Sequence, residues 1–326
     1  MTSFRYCIAI AAAIFMAHGA NAQNTEKWPA RVVRIVIPYT PGGPGDAVLR
    51  AVAVKLQDKW GQPVIIDNRP GANEIIGAAL VAKSPADGYT IFAGTESSLT
   101  MNQFLYSNLP YNTEKDFEPI TRVLEVPLAL FVTSALPVKT AGDFISFAKN
   151  SKIPLTYASS GTGGFNHLPA IMLEKTHGFE LNYIVYKGIA PAMVDLLGGT
   201  VQVSMMGAGV IEPHVKKGTL RALAVASDSR LPSLPDTPTL KELRLNDFGA
   251  SYSYGLLAPK GTAKAIIKEI SDSVIAIIKD PDFQKQQFLP LSIVATPYGP
   301  EEYGQYLKAN ARLQKERIAT SGVKLN

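Results

Sequence analysis

Two glycine-rich turns contain the residue types that can hold an anion. The first, residues 41–46, follows the β-branched run 32–37 and precedes a segment with helical spacing of apolar residues. The second, residues 159–164, follows the run 155–158 in the same way and adds hydroxyl groups. A turn that ends a strand and opens a helix leaves backbone N–H groups without intrahelical acceptors, and such groups bind anions. The pair of turns predicts two lobes that close on one small anionic ligand.

A nucleotide site fits these turns poorly. Gly43 and Gly45 supply the first two glycines of a dinucleotide fingerprint, but Val48 stands where the third is required. No Walker lysine follows either turn. An isolated Pro/Gly turn is more often only a tight turn, so the ligand interpretation depends on the presence of both.

Ser160 and His167 suggest an alternative, the nucleophile and base of a serine hydrolase. An esterase requires G-x-S-x-G, however, and Ala158 occupies the first glycine position. A histidine near a helix start is more often a structural hydrogen-bonding group, and no acid partner can be named. The hydrolase stays a secondary hypothesis, which covalent labelling by a fluorophosphonate would test.

The N-terminal residues have the features of an export signal. Arg5 precedes the apolar stretch 6–17, and Ala20-Asn21-Ala22 predicts cleavage after Ala22. Of the 326 residues, 22 are then removed and 304 remain, and the loss of Arg5 lowers the net charge from +5 to +4. The single cysteine, Cys7, is removed as well, which excludes a disulfide or a cysteine metal site in the mature chain. Export without cysteines favours a bacterial periplasm.

Other ligand classes find little support. His167, His177 and His214 remain after cleavage and show neither H-x-x-x-H nor H-E-x-x-H spacing, so no metal and no cofactor are predicted. The basic residues are scattered, with no run longer than pairs such as Lys216-Lys217, and no basic stripe carries interleaved aromatic residues. Nucleic-acid binding is therefore not favoured.

The elements that position the first turn follow a β-α-β rhythm. Short strands are predicted at residues 32–37, 64–67 and 89–93, with helices over 47–60 and 75–83. This rhythm is typical of a doubly wound sheet, in which ligands lie beyond the carboxyl ends of the strands. Asp46 is predicted to be the N-cap of the first helix. Residues 94–98 are predicted to be a loop on the same rim.

The same rhythm recurs in the middle of the chain. Residues 23–125 and 250–326 are predicted to form lobe one, and residues 126–249 lobe two. The chain is expected to cross near residues 124–127 and to return in a strand over 251–258. Lobe two is predicted to carry strands at residues 155–158, 183–186, 201–205 and 221–226, and helices at 141–149, 167–176 and 191–197. Helices over 263–279 and 300–320 are predicted to complete lobe one.

Several short motifs occur in a specific order along the chain. They are Pro41-Gly42-Gly43-x-x-Asp46, Asn68-Arg69-Pro70-Gly71, Pro85-Ala86-Asp87-Gly88-Tyr89-Thr90, Asp116-Phe117-x-Pro119, Tyr157-Ala158-Ser159-Ser160-Gly161-x-Gly163, Tyr186-Lys187-Gly188, Asp195-Leu196-Leu197-Gly198-Gly199, Arg221-Ala222-Leu223-Ala224-Val225 and Leu234-Pro235-Asp236-x-Pro238-Thr239. In this order they resemble the Bug-type, or tripartite tricarboxylate transporter, periplasmic solute receptors. The resemblance covers essentially the whole mature chain.

This resemblance implies a two-lobed, type 2 periplasmic-binding-protein fold of the α/β class, in which two doubly wound sheets are joined by a hinge. It also implies capture of small carboxylates, either di- and tricarboxylates or aromatic acids, for a membrane permease. The two glycine turns would pinch the ligand carboxylate, partly through water. The predicted contacts are Gly42, Gly43, Asp46, Ser159, Ser160, Thr162 and Gly163, with Tyr39, Ser97, Tyr186 and Gly207 as further wall residues. Asp46 is expected to organise its loop more than to touch the ligand, because like charges repel.

Some positions depart from the family pattern and concern ligand identity. Residues 71–77 read Gly-Ala-Asn-Glu-Ile-Ile-Gly, where members often have Gly-Ala-Gly-Gly-Asn-Ile-Gly. Glu74 either makes this loop less hospitable to an anion or faces solvent. Gln202 stands where Asp is usual, Met205-Met206 is an uncommon pocket edge, and Tyr254 stands where Trp is frequent.

The sequence therefore predicts a monomeric periplasmic receptor, without enzymatic activity, that delivers a small carboxylate to the permease subunits of a tripartite transporter. Its mechanism would be a ligand-induced population shift toward closed lobes. The same receptor fold serving a sensor kinase is an open alternative, since sequence does not separate sensing from transport. Tyr39, Phe165, Tyr252 and Tyr254 leave both aromatic and aliphatic acids open.

Overall fold

Ten strands and the helices between them make up the described part of the chain. The computed structural model describes residues 28–245, 251–323 and 325. In chain order the elements are β1 (Val33–Ile37), α1 (Pro44–Trp60), β2 (Val64–Asn68), α2 (Ile75–Ala82), β3 (Thr90–Gly94), a π-helix (Ser97–Met101), α3 (Asn102–Leu105), α4 (Thr113–Asp116), β4 (Phe117–Thr133), α5 (Ala141–Asn150), β5 (Leu155–Ser159), α6 (Leu168–His177), β6 (Leu181–Val185), α7 (Ile189–Gly198), β7 (Val203–Gly207), α8 (Ala208–Lys216), β8 (Leu220–Val225), β9 (Ser251–Pro259), α9 (Lys264–Lys279), α10 (Pro281–Phe283), a second π-helix (Gln284–Phe288), a 3₁₀ turn (Leu289–Leu291), β10 (Val294–Tyr298) and α11 (Pro300–Ser321).

Lobe one is built on the first three strands. β1 pairs in parallel with β2 on one side and with β3 on the other, and α1 and α2 connect them. All five residues of β3 are buried, as expected for a strand covered on both faces. Val36, Phe92, Leu257 and Tyr303 belong to the apolar core of this lobe. The predicted β-α-β rhythm of this region is confirmed.

Helix α1 begins three residues earlier than predicted. Gly43 is the N-cap, and Pro44 takes the first helical position, where its missing N–H costs nothing and its fixed φ suits the helix. Asp46 is consequently the third residue of the helix, and the prediction that it is the N-cap is wrong. Gly61 ends the helix in the left-handed conformation with φ 67°, and the predicted helix end at residue 60 is confirmed.

The long strand β4 belongs to both lobes. From Phe117 to Pro127 it pairs antiparallel with β9, the returning strand of lobe one. From Leu128 onward it pairs with β7 and β8 of lobe two. The full hydrogen-bonded order is β2-β1-β3-β9-β4-β7-β5-β6, with β8 and β10 also paired to β4. The change of partner lies next to the predicted crossing at residues 124–127, and β4 and β9 occupy the place of a hinge.

Lobe two repeats the parallel arrangement around β5, which pairs with β6 and with β7. Helix α5 begins with the predicted capping box. Thr140 Oγ1 accepts from the Asp143 N–H at 3.0 Å, and the Asp143 carboxylate accepts from the Thr140 N–H at 3.0 Å. Phe131 and Leu196 are fully buried in the core of this lobe.

Besides the start of α1, a π-helix and strand β10 are among the elements that differ from the sequence-based expectation. Residues 97–101 form a π-helix instead of a loop. Strand β10 is not predicted from sequence, and it pairs with β4 with an irregular register between Ala295 and Tyr298. The predicted signal peptide and the lobe boundary at 249/250 lie outside the described residues, and the lobe limits stay predictions. None of the described helices is both long and apolar enough to span a membrane.

Candidate ligand-binding cleft

Loops at the carboxyl ends of the strands bring the two lobes into direct contact. The Thr40 N–H, just after β1, donates to the carbonyl of Lys187 in lobe two at 3.4 Å. The Phe165 N–H of lobe two donates to Ser97 Oγ of lobe one at 3.2 Å. A Cβ added to Gly42 would lie 3.5 Å from Ala190 Cβ across the cleft. Both glycine turns therefore face the same closed cleft.

Buried polar atoms without partners lie on the lobe-one side of this contact. Thr40 Oγ1 and Asn73 Oδ1 are inaccessible to solvent and have no hydrogen-bond partner in the part of the chain that the structure describes. A Cβ added to Gly188 would lie 2.3 Å from Thr40 Oγ1, and one added to Gly161 would lie 2.3 Å from Asn73 Oδ1. Leaving a buried polar atom unsatisfied costs about 1–3 kcal/mol. A polar group that entered the cleft would therefore stabilise the closed lobes.

Asp46 organises the first glycine turn. Asp46 is 4% exposed, and its carboxylate accepts from the Gly42 N–H at 3.1 Å and from Asn68 Nδ2 at 3.0 Å. Arg50 adds two hydrogen bonds of 3.0 Å. Burial acts to raise the pKa of Asp46, but these hydrogen bonds outweigh it and lower the pKa below its usual value. Asn68 also donates to the Tyr39 carbonyl at 2.9 Å, so the turn is tied to the end of β1.

Glu74 lies on the same side of the cleft and is 1% exposed, so of the two alternatives for this residue, the one in which it faces solvent is wrong. Its carboxylate accepts hydrogen bonds from Tyr39 Oη and Thr95 Oγ1, from the Thr95 N–H at 3.1 Å and from Ser98 Oγ at 2.5 Å. Burial raises the pKa of Glu74, whereas the hydrogen bonds from Ser98, Thr95 and Tyr39 act in the opposite direction. The departure from the family pattern at this position therefore puts a carboxyl group inside the cleft wall.

The second glycine turn is held by residues that follow it. Asn166 Oδ1 accepts from the Ser160 N–H at 3.1 Å and from Ser160 Oγ at 2.9 Å. His167 Nδ1 accepts from the Gly163 N–H at 2.7 Å, and Ser159 Oγ donates to the Gly161 carbonyl at 2.8 Å. His167 is 6% exposed, and burial lowers its pKa to about 4. The imidazole is thus neutral at pH 7, as a hydrogen-bond acceptor must be.

Aromatic rings line the cleft between the turns. Phe165 of lobe two stacks on Tyr252 of β9 with centroids 4.0 Å apart and an interplanar angle of 22°. Tyr39 meets Phe165 and Tyr254 edge-on at 6.1 and 6.4 Å. A Cβ added to Gly45 would lie 2.1 Å from the Tyr254 ring, so this ring packs on the start of α1. Tyr252 and Tyr254 are therefore buried ring-packing residues of the cleft wall.

Comparison with known proteins identifies the family. Residues 48–298 match the model of the tripartite tricarboxylate transporter family receptor. The chain belongs to this family. It is 34% identical to Protein BugT of Bordetella pertussis over 279 aligned residues. The aligned region covers 84% of this chain and 85% of that protein.

Solved structures of family relatives have the same fold. Periplasmic binding protein BugD is similar with a TM-score of 0.86 and 31% identity, covering 91% of this chain and 99% of that chain. The structure of R. palustris Rpa4515 with adipate is similar with a TM-score of 0.87 and 31% identity, and the match covers 91% of this chain and 99% of that chain. The structure of MatC from Rhodopseudomonas palustris with bound malate has a TM-score of 0.83 and 25% identity, and the match covers 89% of this chain and 100% of that chain. The two-lobed α/β periplasmic-binding-protein fold is thus confirmed, and the chain is a member of a solute-binding receptor family.

The contacts of Ser160 and His167 give no support to the hydrolase hypothesis. Ser160 donates its hydroxyl to Asn166, and His167 uses Nδ1 to accept a backbone N–H. The His167 ring also contacts the ring of Tyr183, which is perpendicular to it with the centroids 4.2 Å apart. Both residues thus stabilise the glycine turn of this receptor.

The other predicted site residues occupy different parts of the cleft. Gly163, with φ 74°, approaches Leu105 of lobe one, and a Cβ there would lie 2.7 Å from Leu105 Cδ1. Gly207 abuts the hinge, since its Cβ would lie 2.8 Å from Val126 Cγ1. Thr162 and Tyr186 are half-buried in lobe two, and Tyr186 Oη donates to Asp195 at 2.5 Å. The assignment of these residues to ligand contacts stays a prediction.

Gln202 lies away from the cleft. It precedes β7 and hydrogen-bonds with Thr156 near the start of β5, through the Thr156 N–H at 3.1 Å. Because β5 and β7 are parallel, this contact is at the edge opposite the glycine turn. Gln202 therefore joins two strands and has no direct bearing on ligand identity.

Sequence reasoning left several cleft residues out of the predicted contacts. Asn68, Asn73 and Asn166 hold the turns, and their positions within or beside the glycine motifs were the available signal. Thr95 was not singled out, because nothing in the sequence joins it to Glu74.

The spacious groove of about 990 Å³ lined by residues such as Arg122 and Arg244 contains neither glycine turn, and we do not assign the ligand to it.

Proposed function

We propose that this chain is a periplasmic receptor that closes its two lobes on a small carboxylate and presents it to a membrane permease without chemical change. The observation that carries the proposal is the polar, partly unsatisfied contact between the lobes. Thr40 Oγ1 and Asn73 Oδ1 are buried there beside glycines of lobe two, and neither atom has a hydrogen-bond partner within residues 28–245, 251–323 and 325. A ligand that bonds to both lobes favours the closed state through contacts that the open state lacks.

The glycine turns supply the groups suited to a carboxylate. Helix α1 has 17 residues and opens at Gly43, so its first N–H groups and its dipole favour an anion at this point. The side chain of Asp46 is already engaged by Arg50 and Asn68, which limits its repulsion of an anion. Gly42, Gly43, Ser159, Ser160, Thr162 and Gly163 are the proposed ligand contacts, partly through water.

Relatives support the ligand class and the setting. Rpa4515 was solved with adipate and MatC with malate, both small carboxylates. The matching family is named for tripartite tricarboxylate transporters, and the predicted export signal ends at Ala22. We therefore propose a monomer in the periplasm that works with the permease subunits of such a transporter.

A ligand screen tests the proposal. The chain from residue 23 to 326 is titrated by isothermal calorimetry with aliphatic and aromatic carboxylates, next to uncharged analogues of the same size. A carboxylate is expected to bind and its uncharged analogue is not. Replacing Gly163, which has φ 74° and faces Leu105, by valine should abolish that binding. The matched control is Gly198→Val, because a Cβ at Gly198 meets no atom within 4 Å. Absence of binding across the panel contradicts the proposal.

A further inference from the structure

The carboxylate of Glu74 occupies a set of four hydrogen-bond donors on the lobe-one side of the cleft. One backbone N–H, from Thr95, and three hydroxyls, from Tyr39, Thr95 and Ser98, converge on its two oxygens. A carboxylate has about four lone-pair sites, so this set satisfies it completely. Hydrogen bonds to an ionised acceptor are stronger than neutral ones, and the same four donors would suit the carboxylate of a ligand.

These donors belong to the cleft and not to the interior of the lobe. Tyr39 follows β1 and Thr95 follows β3, so both lie at the carboxyl edge of the sheet. The ring of Tyr39 contacts Phe165 of lobe two. Ser97, the neighbour of Ser98, accepts the Phe165 N–H. The Glu74 carboxylate therefore lies directly behind the surface that meets lobe two.

The backbone that carries Glu74 is strained. Ala72, Asn73 and Glu74 have φ values of 46°, 48° and 73°, a left-handed region that favours glycine. Consecutive residues keep this conformation only where the surrounding structure fixes it, and such strain concentrates at functional sites. Asn102 contributes to fixing the turn, because it accepts from Asn73 Nδ2 and donates to the Asn73 carbonyl, both at 2.8 Å. The turn thus places the Glu74 carboxyl group among the four donors.

We propose that Glu74 is a built-in carboxylate that fills the lobe-one subsite, so that the cleft selects ligands with one carboxylate over dicarboxylates. This inference rests on the proposed function as a carboxylate receptor. A second ligand carboxylate would find these donors already used by the carboxyl group of Glu74. The rest of the ligand would instead meet the rings of Tyr39, Phe165 and Tyr252, which suit an apolar or aromatic body.

Matched ligand pairs test the inference. Hexanoate and adipate have six carbons each and differ by one terminal carboxylate, and benzoate and terephthalate form the corresponding aromatic pair. In calorimetric titrations of the chain from residue 23 to 326 at pH 7.5, the monocarboxylate should bind at least tenfold more tightly in at least one pair. Glu74→Gly removes the carboxylate, suits the φ of 73° and releases the four donors. This variant should bind the dicarboxylate of that pair at least tenfold more tightly than the wild type does.

Glu96→Gln is the control variant. Glu96 is also buried and accepts from the Ser253 N–H at 2.7 Å and from Tyr306 Oη at 2.9 Å. Ser253 points to the face of β9 opposite to Tyr252, because side chains alternate along a strand. The control should keep the wild-type preference, which separates the effect of Glu74 from the loss of any buried carboxylate.

Three results would overturn the inference. The first is a wild type that binds adipate and terephthalate as tightly as hexanoate and benzoate. This measurement decides the question even if circular dichroism shows that Glu74→Gly does not fold. The second is a folded Glu74→Gly variant with the unchanged wild-type preference. Both results leave the receptor function standing, whereas failure of every carboxylate to bind the wild type overturns the receptor function and this inference together.

Discussion

Protonation of His167 should destabilise the fold as the pH falls. His167 Nδ1 accepts the Gly163 N–H at 2.7 Å, so the proton that would charge the ring has no place at that nitrogen. Burial lowers the pKa from 6.5 to about 4. Between pH 6.5 and about 4, the unfolded chain therefore binds a proton at His167 that the folded chain does not bind. Stability from this residue is complete above pH 6.5 and is lost progressively down to about pH 4.

The size of the effect follows from the two pKa values. A shift from 6.5 to about 4 corresponds to about 3 kcal/mol of stability once both states are protonated. Between pH 7.5 and pH 5.5 the loss is about 1.3 kcal/mol by the same linkage relation. Glu74 and Glu174 act in the opposite direction, because their folded-state pKa values are raised and their protonation favours the folded state. The pH dependence of wild-type stability alone therefore does not isolate the contribution of His167.

The assay is urea denaturation of the wild type and His167→Gln at pH 7.5 and pH 5.5. Gln can accept the Gly163 N–H through its amide oxygen and does not titrate. The free energy of unfolding of the wild type should fall by about 1.3 kcal/mol relative to the variant over this interval. His214→Gln, in α8, controls for the loss of an imidazole. A difference that does not change with pH, or an NMR titration of folded His167 with a midpoint near 6.5, would refute the reasoning.

Three further substitutions test the contact between the lobes, the first glycine turn and the cap of α5. Gly161→Ala puts a Cβ 2.3 Å from Asn73 Oδ1, so affinity for any confirmed ligand should fall at least tenfold in calorimetry, and Asn73→Gly in the same chain should restore it. Asp46→Asn loses charge-assisted hydrogen bonds and should lower the free energy of unfolding by about 1–3 kcal/mol in urea. Asp58→Asn, exposed on the same helix, should change it by less than about 0.5 kcal/mol. Thr140→Ala removes the cap of α5 and should cost about 1 kcal/mol by the same measurement, and no change would contradict the role of the capping box.

Local signals in the sequence were sufficient for most of the strands and helices. β1 to β3 and β5 to β8 are short apolar runs bounded by turn residues, and α5 carries its capping box in the sequence. Strand β10 is not predicted from sequence because Pro297 lies inside it, and a proline within such a run argues against a strand. The error at the start of α1 has a similar origin, because Pro44 and Gly45 mark a turn by composition although they form the first helical positions.

The cleft was less accessible to prediction because its contacts join distant parts of the chain. The order of the glycine motifs indicated which loops meet. It did not indicate that Glu74 would be enclosed, since its partners Tyr39, Thr95 and Ser98 come from two other segments. Nor could it show that Phe165 stacks on Tyr252, which lies 87 positions later in the chain and on the hinge strand β9.

The approach of the lobes gives the cleft glycines a second reason to be glycine. Neither Gly161 nor Gly188 has a left-handed φ, yet a Cβ on either would lie 2.3 Å from a polar side chain of lobe one. These two positions therefore need glycine because the contact between the lobes leaves no room for a side chain, whether or not the glycines touch the ligand. Each glycine admits a buried atom, Asn73 Oδ1 or Thr40 Oγ1, that has no hydrogen-bond partner among the described residues, so closure alone leaves these polar groups unsatisfied. In the proposed function, a ligand or bound water that bonded to them would remove that cost, and this would couple ligand binding to closure.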